Sequence, residues 1–372
     1  MTARRRAKRL LSWAVALAAL AFVAWMVPLR DRCWDPRAPS STRVAVTRSA
    51  GGCVLHLRTG DVVVDSAACA QLKCEPGVVS TFAHARLALV AALLGLYVLG
   101  TLAWAARWRA LLSFAGIDLP LLQVWRLSTE AQAGGILLPG GIGGDALRVT
   151  GVLARPTREG EARAPASTVI ASVVLDRAIG ISLIAGLAAV LGVTSGGVGA
   201  GPLVAALAAI PVGVVAALAV MRGAPLHRIR RLSEGRIGNV VRPVLAYVRD
   251  PRAPRAIVLA AAFSAVVAAI QFAVIRGLVF ALGAAPTGEK WLYVGTAMAF
   301  IVGAVPALPG GWGTADAAYV FFFGLAGVAS GAALAVCLVF RLFWYACGVA
   351  GALLYVARPP AIEPPVVAGP DG

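Results

Sequence analysis

Long uncharged runs separated by short basic stretches dominate the chain. Leu11–Leu29 carries no charged residue and is long enough to cross a bilayer core as a helix. Arg30-Asp31-Arg32 follows it in place of a small-residue cleavage site, so the pattern predicts an uncleaved first span rather than a signal peptide. Apolar runs at Phe82–Ala106, Thr168–Val193, Gly201–Val220, Ala256–Leu282 and Ala332–Val356 predict five more spans. Two further segments, residues 120–165 and Trp291–Phe323, are apolar only in pieces, and Gly/Pro clusters interrupt them. They predict broken helices that enter and leave the membrane on one side.

Basic residues set the expected orientation. Met1–Arg9 is strongly basic, Arg107-Trp108-Arg109 follows the second run, and Arg222–Arg255 holds nine arginines against Glu234 and Asp250. By the positive-inside rule these stretches and both termini are expected in the cytoplasm. The chain is then expected to return to the cytoplasm at Arg107. The first broken segment would enter from the cytoplasm and the second from outside. Non-helical backbone survives at membrane depth only when buried in protein or lining a wet cavity, so a polar interior is expected.

The polar segment 30–81 differs from the rest. Arg43–Val46 and Asp61–Val64 look like short strands between glycine turns. Its own charge does not favour an extracytoplasmic position, but the flanking basic segments outweigh it. Cys33, Cys53, Cys69 and Cys74 predict disulfides in an oxidising compartment, with the pairing open. A zinc site is the alternative, with His56 and His84 near but no CxxC pair. The expected organisation is a basic tail and first span at 1–29, the cysteine segment at 30–81, a membrane core at 82–357 and a Pro-rich cytoplasmic tail at 358–372. The fold class is therefore an all-α polytopic membrane protein. It has about six full spans and two re-entrant hairpins in an inverted repeat, plus a small polar insert.

Composition agrees. Apolar residues make up 59% and charged residues 14% of the 372, against about 45–50% and about 25% in soluble domains. The 34 Lys+Arg against 17 Asp+Glu give +17. With no nucleic-acid motif present, anionic headgroups are the expected partner for that charge and nucleic acid is excluded.

The broken segments share a motif. Leu138–Asp145 reads LPGGIGGD and Leu308–Asp316 reads LPGGWGTAD. Proline ends a helix and frees backbone groups, while glycine allows sharp turns and close approach. A helix starting after such a loop points N–H groups at an anion. The bland alternative is close packing by small residues; paired interrupted segments favour a transport site. The candidate headgroup-binding residues are Pro139, Gly140, Gly141, Gly143, Gly144, Asp145, Arg148, Asp176, Arg177, Pro309, Gly310, Gly311, Gly313, Asp316 and Arg341. Asp176 or Arg177 is expected to meet Arg148 or Asp145, and Arg341 to meet Asp316 or a phosphate. Arg276, inside a span, and the i,i+4 pair Arg126/Glu130 are equally compatible with structural roles.

These stretches carry a resemblance. RWRALL at Arg107–Leu112, LPGGIGGDALR at Leu138–Arg148, SVVLDRAIG at Ser172–Gly180 and PALPGGWGTADAA at Pro306–Ala318 together resemble the transmembrane region of the lysylphosphatidylglycerol synthase family. These are flippase-like integral membrane proteins. The resemblance covers roughly residues 82–357 and implies lipid flipping or lipid handling. One departure is Asp316, where the family usually has glutamate. The large members carry a soluble aminoacyl-transfer domain after the membrane part. Only residues 358–372 follow the last span here, so synthase activity is not expected.

The expected function is translocation of an anionic or polyprenyl-type lipid across the plasma membrane, without a cofactor or metal and without enzymatic activity. There is no Walker-type motif and no metal-pair or nucleophile-elbow motif. Two alternatives stay open: an integral membrane enzyme or accessory factor in lipid-linked glycosyl transfer, and a scaffold docking through residues 30–81.

Overall fold

A computed structural model describes residues 21, 27–34, 44–49, 52–57, 60–137, 142–155, 165–194, 200–223, 238–303 and 311–357. The predicted span Leu11–Leu29 lies almost wholly outside the described residues, and the 358–372 tail lies outside them entirely.

The described residues of 30–81 form a small disulfide-bonded sheet. Strands β1 (Asp31–Trp34), β2 (Val44–Ser49), β3 (Gly52–Leu57), β4 (Gly60–Asp65) and β5 (Lys73–Glu75) pair antiparallel in the order β4-β3-β2-β1-β5. Helices α1 (Ser66–Gln71) and α2 (Val78–Ala83) complete it. Its core is little more than Cys33, Val46 and Cys53, with Leu55, Val64 and Leu72 packed against them. So small a core needs covalent staples. Cys33–Cys74 joins β1 to β5, and Cys53–Cys69 joins β3 to α1. That occupies all four thiols and removes the zinc alternative; no metal-binding cluster occurs among the described residues. Asp31 ties the sheet to α2, accepting from the Gly77 N–H at 2.8 Å and from the Ser80 hydroxyl.

Five helices are long and apolar enough to span: α3 (Leu87–Phe114), α6 (Ala166–Thr194), α7 (Ala200–Gly223), α9 (Ala253–Ala281) and α12 (Ser330–Ala357). They coincide with five of the six predicted spans. One boundary needs correction. The chain does not leave its helix at Arg107: α3 continues to Phe114, with Arg107 and Trp108 buried. The basic loop also contains structure. Helix α8 (Gly238–Arg249) buries Val244, Leu245, Tyr247 and Val248, and the Tyr247 hydroxyl donates to the Leu111 carbonyl at 3.1 Å.

Each LPGG motif lies between two short helices that pack against each other as a hairpin. The first joins α4 (Leu121–Leu137) to α5 (Ile142–Leu153), and the second joins α10 (Glu289–Gly303) to α11 (Thr314–Leu325). At about 1.5 Å per residue each arm falls short of the roughly 30 Å hydrocarbon core. Both hairpins are antiparallel and tightly packed. In the first, a Cβ on Gly144 would lie 2.6 Å from the Ala131 carbonyl oxygen, and one on Gly151 would lie 2.6 Å from Leu127. In the second, Gly295 faces Phe322 and Gly303 faces Ala315.

The chain divides into two compact units. One comprises residues 1–96, 190–200 and 271–343, and contains the sheet and the second hairpin. The other comprises 97–189, 201–270 and 344–372, and contains the first hairpin.

Candidate functional site

In the unit of the first hairpin, one buried carboxylate gathers two arginines. Asp176 on α6 is 1% exposed. Arg107 of α3 grips it with two bonds, Nε to Oδ1 at 2.6 Å and Nη2 to Oδ2 at 2.9 Å. Arg148 of α5 adds Nη1 to Oδ2 at 3.1 Å. The remaining Arg107 nitrogen donates to Ser264 Oγ at 3.2 Å. Such fork-on-carboxylate geometry is the strongest form of ion pairing, and burial makes it necessary. The Arg148 guanidinium also lies over Trp104 and Trp108, at 4.1 and 4.9 Å from the ring centroids. Two cations against one anion leave this cluster net positive.

The local sequence explains the assembly. Ser172, Asp176 and Gly180 recur at i, i+4 and i+8, so they form one stripe on α6. Trp108 Nε1 donates to Ser172 Oγ at 3.2 Å, and Gly180 makes room for Arg107. SVVLDRAIG is therefore a docking stripe for the RWR turn of α3.

Beside this cluster, Arg177 pairs with Asp145 of the first hairpin. Of the pairings the sequence left open between these residues, two are present: Asp176 with Arg148 and Arg177 with Asp145. Gly143 and Gly144 are buried where α5 packs on α4. Pro139, Gly140 and Gly141 lie outside the described residues, as do Pro309 and Gly310. Arg126 pairs with Glu130 at 2.6 Å. Arg276 pairs with Glu289 at 3.1 Å on the surface and belongs to no buried cluster.

In the unit of the second hairpin, Asp316 and Arg341 are joined by Nη2 to Oδ1 at 2.6 Å. Asp316 also accepts from the Gly313 N–H at 2.9 Å and from the Cys337 thiol at 2.9 Å. Gly311 and Gly313 adopt φ of 67° and 79°, a region that other residues rarely enter. The Trp312 ring covers the Arg341 guanidinium at 4.1 Å.

The two hairpins thus carry the same device. Each places an aspartate in the first turn of its second arm, paired with an arginine on the following span. Arg177 and Arg341 are each the twelfth residue of their helix (166 to 177 and 330 to 341). The copies also differ. Phe340 stands where Asp176 precedes Arg177, and Tyr319 stands where Arg148 follows Asp145. Among the described residues, the extra charged cluster occurs only beside the first hairpin. Sequence reasoning missed Arg107, Gly180, Ser264, Cys337 and the stacking tryptophans. The RWRALL and SVVLDRAIG stretches held Arg107, Trp108 and Gly180, but no pattern in them assigned those residues a contact.

A helical membrane protein with two short-helix hairpins, each joined to the long apolar helix that follows by a carboxylate–arginine pair, is the class these observations define. A family model described as the lysylphosphatidylglycerol synthase TM region matches residues 77–351, and the chain belongs to that family. No curated protein matches the chain.

Proposed function

We propose that the protein translocates lipids with anionic headgroups across the membrane, without catalysing a covalent change. The carrying observation is the duplicated aspartate–arginine pair, which links each interrupted hairpin to the span that follows it. Interrupted helices paired across a repeat are the usual framework of a midplane transport site. Ionised side chains at that depth normally serve a substrate path or pair with one another. The first copy does both: its pairs are satisfied, and one positive charge remains for a phosphate. Family membership supports lipid as the cargo, because flippase-like domains define this group. On this reading the membrane is the plasma membrane, both termini are cytoplasmic and the sheet at 30–81 faces outside, where its disulfides persist.

The test is scrambling or directional transfer of a fluorescent phosphatidylglycerol in proteoliposomes, read by dithionite quenching of the outer leaflet. The wild-type chain should speed translocation over empty vesicles, and Arg148→Ala and Asp145→Ala should each slow it at least tenfold. Equal rates in empty and loaded vesicles would refute the proposal. A lipid product of altered mass would support the enzyme alternative.

A further inference from the structure

Three buried polar atoms of the first hairpin have no hydrogen-bond partner among the described residues: Ser128 Oγ, Gln132 Oε1 and Arg148 Nη2. Their residues are 1%, 4% and 2% exposed. Buried polar groups are nearly always satisfied, so three orphans in one hairpin require an explanation.

Helix geometry puts the three together. Across the hairpin Leu127 meets Gly151, Ala131 meets Gly144, and Leu147 meets Gly134. Ser128, Gln132 and Arg148 each follow one of these contact residues by one position. One residue turns a helix by about 100°. On two antiparallel helices that turn carries both sets of side chains to the same flank. The cross-hairpin contacts also place Arg148 between the levels of Ser128 and Gln132. The flank is the one on which Arg148 reaches Asp176 and Trp104.

Their chemistry is selective. Arg148 Nη2 only donates and calls for an oxygen acceptor, best an anionic one. Gln132 Oε1 only accepts and calls for an O–H or N–H. Ser128 does either. Arg107 and Arg148 outnumber Asp176, so an ammonium is a poor donor here and a neutral hydroxyl a good one. We infer that Ser128, Gln132 and Arg148 form a subsite for a phosphate ester carrying free hydroxyl groups, the phosphate at Arg148 and a hydroxyl on Gln132. This deepens the lipid-translocation reading and rests on it for the lipid as source. In the second hairpin Tyr319 stands at the place of Arg148, so the cationic member of the subsite is not repeated there.

The experiment is equilibrium binding to the full chain in nanodiscs, with three lipid probes and one soluble competitor. Phosphatidylglycerol offers phosphate and hydroxyls, phosphatidylethanol offers the same charge without hydroxyls, and phosphatidylethanolamine offers an ammonium. Wild type should prefer phosphatidylglycerol over phosphatidylethanol by about fivefold, the scale of one neutral hydrogen bond. Gln132→Leu should erase that preference while leaving phosphatidylethanol binding unchanged, which also shows that the variant is folded. Arg148→Met should weaken both anionic lipids. No preference in wild type, an equal loss of both lipids in Gln132→Leu, or phosphatidylethanolamine binding as tightly as phosphatidylglycerol would each overturn the subsite. Glycerol phosphate competing at lipid-like affinity overturns the lipid as source, and failure to compete supports it. Hydroxyl selectivity without translocation sinks the transport reading and leaves the subsite intact. Translocation blind to Gln132 does the reverse.

Discussion

The Nη1 atom of Arg107 stands 2.6 Å from where a Cβ would sit on Gly180. The glycine is thus the space in which the guanidinium turns onto Asp176. In an unobstructed helix, Gly→Ala stabilises by about 1 kcal/mol. Here the intruding methyl displaces a nitrogen bonded to Ser264 and strains the grip on Asp176. Overpacking of this kind costs about 1–3 kcal/mol, so Gly180→Ala should be net destabilising. A lowered unfolding midpoint in detergent checks it; a raised one shows that Arg107 yields freely.

The two aspartates bound by the first cluster should differ sharply in worth. Asp176→Asn leaves two buried arginines against a neutral amide, and breaking such a network typically costs about 3–5 kcal/mol. The side chains of Asp145 and Arg177 are 26% and 38% exposed, and Asp145→Asn leaves one partly exposed arginine in place of two buried ones, so it should cost less than Asp176→Asn. Denaturant titrations of the two variants side by side test the ordering. On the translocation reading, Asp145→Asn should lower transport by more than its loss of stability accounts for.

Much of this was legible beforehand. LPGG followed by an acid marked both hairpins, because a proline removes a helix hydrogen bond and adjacent glycines weaken the helix further. The acids pointed to the arginines, since lone charges are not tolerated at depth. Arg107 was not legible: a basic residue closing an apolar run looks the same whether it faces water or a carboxylate sixty-nine positions away. Strands β1 and β5 were hidden for another reason. DRCW and KCE lack alternation and are held by a cross-link whose partner the order of residues does not specify.

Cys337 should be inert towards maleimides in the native protein. It is 2% exposed, and its thiol donates to Asp316. In a Cys347→Ala background it is the only thiol left outside the disulfides. Labelling should appear only with unfolding or with motion of the second hairpin away from α12. Rapid labelling under native conditions would contradict the packing described here.

The sheet at 30–81 should depend on its disulfides. Removing Cys53–Cys69 by paired serine substitution should cost about 2–4 kcal/mol, enough to unfold so small a core. Limited proteolysis should then cut within 44–75 while the span helices survive. Equal resistance with and without reductant would show that the strands hold alone.

The close approach within the first hairpin has a mechanical consequence. Gly134 and Gly144 let its arms touch almost backbone to backbone. Neither arm can slide past the other without colliding, so the pair has to travel as a single stiff wedge. A displacement of one arm is then carried by the other.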